Sequence, residues 1–127
     1  MDIESFREYC LAKPGVTEGF PFDETTLVFK VEGKIFALTD TEETFSINLK
    51  CDPDVAIDLR EHHACVQPGY HMNKKHWNTV LVDGTVDDKT LQRWIDHSYE
   101  LVAISKKPKP KNSNRKPETR NRQSFGR

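Results

Sequence analysis

Between Thr26 and Lys50 the chain alternates apolar and polar side chains in three short runs, and a period of two over runs this short specifies strands rather than helices. Leu27, Phe29 and Val31 alternate with Thr26, Val28 and Lys30. Glu32-Gly33 follows as a two-residue turn, in which glycine supplies the positive φ that tight hairpins require. Lys34 to Thr39 returns as the partner strand, with Phe36 and Leu38 expected on one face. After a polar connection at Asp40 to Glu43, Phe45, Ile47 and Leu49 alternate with Ser46, Asn48 and Lys50. The three runs predict an antiparallel meander with one wet and one dry face, Phe45, Ile47 and Leu49 facing the helices.

Helices flank this meander. Residues 2–13 carry Ile3, Phe6 and Cys10 at helical spacing behind a possible Asp2 cap, and Lys13-Pro14-Gly15 stops them. Residues 16–24 read as a loop containing Phe20-Pro21-Phe22. Asp52 followed by Pro53 starts a second helix, which ends near His62-His63. Val66 to Tyr70, interrupted by Pro68-Gly69, suits an edge strand at best, and Asn78 to Val82 is a further strand. A last helix begins at Asp87, with Leu91, Trp94, Ile95, Leu101 and Val102 as its apolar stripe. Connections this short allow hairpins but not parallel crossovers. The expectation is an α+β domain over residues 1–107, an antiparallel sheet of four to six strands with helices packed on one face.

The formal net charge of -1 conceals a strong asymmetry. From Lys106 to Arg127 there are nine basic residues and one acid, a balance of +8, which leaves −9 on the remainder. The stretch 108–127, rich in proline and amides with Phe125 as its only large apolar residue, is expected to be a basic disordered tail. An acidic body with a basic tail prompts a search for polyanion partners. No apolar run reaches the roughly 18 residues of a membrane span, and the start of the chain lacks the basic-then-apolar layout of a signal peptide. Three cysteines without CxxC spacing fit a reducing compartment, so a cytoplasmic location is expected.

Catalytic and cofactor patterns are missing from the chain. It contains no HxxxH, HExxH or CxxC for a metal, no GxSxG nucleophile elbow, and no phosphate-cradling GxxxxGK or GxGxxG. No cofactor, no metal and no enzymatic activity are expected. The dense constellation is residues 68–79, with Tyr70, His71, Asn73, Lys74, Lys75, His76, Trp77 and Asn78 between two weak strands. Lysines supply phosphate contacts, and aromatic rings offer flat faces to a base or another planar group. The same residues also suit a loop pinned to the core by Tyr70 and Trp77 with its lysines in water.

Several segments resemble the MmcQ/YjbR family of small bacterial proteins. They are Lys13-Pro14-Gly15-Val16-Thr17-Glu18 with Phe20-Pro21-Phe22, the hairpin from Phe29 to Ala37, Leu49-Lys50-Cys51-Asp52-Pro53, the run Pro68 to Val80, and Asp96 to Val102. The resemblance covers roughly residues 1–107 and implies a CyaY-like α+β fold. It also implies a non-enzymatic DNA-binding role on a surface comprising Tyr70, His71, Asn73, Lys74, His76, Trp77 and Asn78. Lys30 and Lys34 on the hairpin are added as possible neighbours, and Lys75 from the loop's composition. The alternative is a module that binds a small anionic or planar ligand, or a protein, with the Tyr70–Asn78 loop as its pocket.

Overall fold

The computed structural model describes residues 1–42, 44–69 and 72–105. The expectations for Tyr70, for His71 and for the tail at 108–127 lie outside the described residues. In chain order the elements are α1 (Ile3–Leu11), β1 (Val16–Gly19), β2 (Thr26–Val31), β3 (Lys34–Asp40), β4 (Ser46–Lys50), α2 (Pro53–His62), β5 (Val66–Pro68), β6 (Trp77–Leu81) and α3 (Asp88–Ser105). The six strands form one antiparallel sheet in the order β1-β2-β3-β4-β6-β5. The helices pack against one face of it, as expected. No helix among the described residues is long and apolar enough to cross a membrane.

Local chemistry sets the element ends. The Asp2 carboxylate accepts from the Ser5 N–H and the Ser5 hydroxyl oxygen accepts from the Asp2 N–H, a capping box that starts α1. Asp52 caps α2 with Pro53 behind it. Glu32 and Gly33 both take positive φ, 53° and 82°, the pattern whose twist matches a two-residue hairpin.

The core lies between sheet and helices. Phe6 of α1 stands edge-on to Phe29 and Phe45, with ring centroids 5.4 and 6.0 Å apart. Leu91, Ile95 and Val102 of α3 are buried over Phe36, Ile47 and Leu49; each such side chain contributes roughly 1.5–3 kcal/mol. Polar contacts lace α1 to α3 at the rim. Asp96 accepts from the Tyr9 hydroxyl at 2.7 Å and from the Lys13 ammonium. That ammonium lies 4.9 Å from the Tyr9 ring centroid and 5.2 Å from that of Tyr99. Burial is the main cause that holds the Tyr9 phenol well above its usual range, with the Asp96 carboxylate adding to it.

Three features depart from the sequence reading. Residues 16–19 form a strand where a loop was expected. Val-Thr-Glu-Gly is too short to display a period, and the segment is a strand because the free edge of β2 pairs with it, Val16 opposite Val31 and Gly19 opposite Val28. Phe36 and Leu38 face opposite sides rather than one. A bulge interrupts the β2–β3 register, so Phe29 pairs with Ala37 while Lys30 pairs with Ile35, and Phe36 is the extra residue. Phe36 and Ala37 therefore join the helix-side core, and Leu38 pairs with Val28 and Asn48 on the other face. That face is also less wet than expected, because Val28, Leu38 and Asn48 are all buried there.

Ser98 of α3 fixes the helix to the bulge. Its hydroxyl donates to the carbonyl of Phe36 and accepts from the Lys50 N–H at 2.9 Å, with the side chain fully buried. Ser98→Ala leaves two buried main-chain groups without this partner and is expected to cost about 2–4 kcal/mol. Urea denaturation of the variant against the parent chain checks this; an unchanged midpoint contradicts it.

Candidate functional site

The described residues of the β5–β6 connection, Gly69 and 72–76, form a corner held by hydrogen bonds. The Gly69 N–H donates to the Trp77 carbonyl at 2.8 Å, and a Cβ at position 69 would lie 2.7 Å from the Trp77 Cβ, so only glycine fits. The Asn73 side chain accepts from the Lys75 N–H, and its carbonyl accepts from the His76 N–H. The His76 carbonyl in turn accepts from the Cys51 N–H at 2.7 Å, which ties the corner to the start of α2.

Arg60 of α2, which sequence reasoning passed over, clamps this corner. Its Nε donates to Asn78 Oδ1 at 2.7 Å and its Nη2 donates to the Lys74 carbonyl. Asn78 is buried and donates onward to the Ala56 carbonyl at 3.3 Å. An arginine in the last turn of a helix has no sequence signal for a partner 18 residues away; only the fold brings them together.

The residues expected to share a surface are thus divided. Trp77 is 6% exposed and Asn78 is interior. Lys74 and Lys75 are exposed on the corner, and His76 is half-buried. Lys34 pairs with Val31, whose side chain is in the core, while Lys30 pairs with Ile35 one step away, so the two hairpin lysines belong to opposite faces. By register Lys30, Lys34, Lys50, Lys74 and Lys75 belong to one end of the sheet, that of the β2–β3 turn, the end of β4 and the start of β6.

The larger feature is the sheet face away from the helices. There the register aligns Val28, Leu38, Asn48, Thr79 and Gln67 in one row across five strands, with Thr26 and Asp40 paired beside it. Phe22 and Asp23 rise on one side and Met72 on the other, enclosing a concavity of about 610 Å³. Its lining among the described residues holds two carboxylates, Asp23 and Asp40, and no lysine, arginine or histidine. Asp23 accepts from the N–H groups of Thr25 and Thr26, bonds that keep its carboxyl below the usual range and therefore ionised. Asn48, 4% exposed, accepts a 2.5 Å bond from the Thr79 hydroxyl. The Phe20-Pro21-Phe22 run gave a partial sequence signal for this face; Phe20 and Phe22 are 49% and 62% exposed.

Elsewhere the chemistry is quiet. Burial pushes the Cys10 thiol up to about 12 and the Cys51 thiol up to about 11, which leaves little thiolate near neutral pH. Among the described residues no three His, Cys, Asp or Glu side chains gather as a metal set.

A six-stranded antiparallel sheet, helices on one face and a concave second face define a small open-faced α+β protein. The family model YjbR matches residues 11–101, and the chain belongs to the YjbR family. It is 37% identical over 101 residues to the Escherichia coli (strain K12) protein YjbR, across 79% of this chain and 86% of that one. Over 100 residues it is 36% identical to YbdF of Escherichia coli O157:H7, 78% of this chain and 82% of that protein. Both relatives are described as uncharacterized. A crystal structure from Deinococcus radiodurans superposes with a TM-score of 0.80 at 41% identity, covering 84% of this chain and 82% of the other. One from Pseudomonas syringae gives 0.70 at 27% identity, covering 80% and 99%.

The packing of the corner is testable. Trp77→Ala is expected to cost roughly 3–5 kcal/mol, the range for deleting a buried indole. Gly69→Ala is expected to cost about 1–3 kcal/mol, as an overpacked site does. Thermal denaturation of both variants checks these values, and an unchanged midpoint for Trp77→Ala would mean that the ring is not an anchor.

Proposed function

We propose that this protein is a binding module whose ligand site is the open face of the sheet. The observation that carries the reading is the 610 Å³ concavity itself, a size suited to a small molecule or a short peptide segment. Apolar floor at Leu38 and Leu81 supplies burial, and Thr26, Asn48 and Thr79 supply orientation. Two carboxylates with no basic residue among the described residues of the lining select against phosphates, which favours an uncharged or cationic ligand. The β5–β6 corner contributes Met72 to this site.

A second reading, DNA binding, draws on a different region. The five lysines at one end of the sheet, together with the basic residues of 106–127, give phosphates a place to bind away from the acidic face. Engagement of about five phosphates would give a log–log salt slope near −4.5 on a duplex.

One titration series separates the two. Amide NMR of the full chain with neutral, cationic and anionic small-molecule fragments is expected to shift Leu38, Asn48 and Thr79 with neutral or cationic members. Leu81→Trp, a ring placed at a half-exposed lining position, is expected to abolish those shifts while changing stability by less than about 1 kcal/mol. The open-face reading fails if no fragment perturbs that face. The DNA reading fails if a duplex shows no binding at low salt.

A further inference from the structure

Asn48 is the unusual residue of the open face. Its side chain is almost wholly buried, and its Oδ1 is satisfied by the Thr79 hydroxyl. Its Nδ2 donates to no acceptor among the described residues, although it borders the concavity. Buried amide donors are normally paired, and one left open at a concave surface is suited to a ligand acceptor such as a carbonyl. One row along the same face, Asp40 stands directly opposite Thr26, whose hydroxyl donates to Asp23. Two carboxylates therefore flank one threonine, and the exposed ring of Phe22 lies beside them. Carboxylates next to an aromatic face form a recognition set for ammonium or guanidinium groups. The charge of the chain outside 106–127, −9, favours the approach of such a group.

Resting on the open-face reading, we propose that the ligand is a basic peptide segment: a lysine or arginine side chain reaches Asp23, Asp40 and Phe22, and a main-chain carbonyl accepts from Asn48 Nδ2. The concavity holds an apolar strip at Leu38 between these two polar ends, where the alkyl stem of the basic side chain lies.

The test uses the full chain and three probes, the N-acetyl methylamides of arginine, lysine and norleucine. The first two carry the cation and the carbonyl; norleucine keeps the stem and the carbonyl without charge. Arginine and lysine probes are expected to shift the amides of Thr26, Leu38, Asn48 and Thr79, and to bind about tenfold or more tightly than norleucine, a ratio typical of a charge-assisted pair. Asp40→Asn is expected to remove that preference, and Asn48→Ala to weaken the blocked amino acids while leaving butylammonium, which lacks a carbonyl, unchanged. Where Asn48→Ala does not fold, the Asp40→Asn result and the norleucine ratio still decide. Equal binding of all three probes at this face overturns the basic-peptide proposal and leaves the open-face site standing. Silence of the face to every probe and to the wider fragment set overturns both.

Discussion

All three helices lie on one side of the sheet, and the rest of the molecule follows from that asymmetry. A six-stranded sheet has two faces to shield, and α1, α2 and α3 together shield one. The covered face and the helices over it carry the large aromatic and aliphatic residues, with Phe36 of the sheet and Phe6 and Ile95 of the helices wholly buried. Among the described residues the other face has only loops at its margins. Its floor is accordingly mixed, with Val28 and Leu38 beside Asn48 and Thr79, because side chains that meet both neighbours and solvent need both characters.

The polar ties of the fold and the proposed ligand site consequently occupy different regions. The polar ties at Ser98, Asp96 and Arg60 all act on the helix side or the β5–β6 corner, and none draws on the residues of the concavity. Within the run from Pro68 to Val80, four of the described residues serve architecture. Gly69 permits a close main-chain approach, Asn73 shapes a turn, Trp77 fills space and Asn78 receives Arg60. A run this dense in functional side-chain types can be demanded by geometry alone, since each polar atom that is buried needs a partner.

Much of the fold was legible in the sequence for a local reason. Strands β2, β3 and β4 announce themselves through alternation, and α1 and α2 through Asp2, Asp52 and Pro53, all signals written within a few residues. What escaped was set by distant partners. The strand at Val16–Gly19 exists through pairing with β2, the Arg60 clamp spans two elements, and the open-face row collects one residue from each of five strands. Asp23, Asp40 and Asn48 lie in a loop, a polar connection and a strand along the sequence, and only the fold places them around one hollow.

The single extra residue in β3 acts as a phase shifter. Counting alternately from Lys34 in an unbulged strand would put Phe36 and Leu38 in step; with the bulge, the count slips by one and every later side chain of β3 changes sides. Leu38 and Asp40 owe their place on the open face to that slip, and Thr39 its place in the interior, where it donates to the Ser46 carbonyl. The same residues paired without the bulge would keep the turn yet send Leu38 and Asp40 to the helix side and present a different surface. The place of one unpaired residue therefore decides, as much as the identity of its neighbours, which side chains this open face displays.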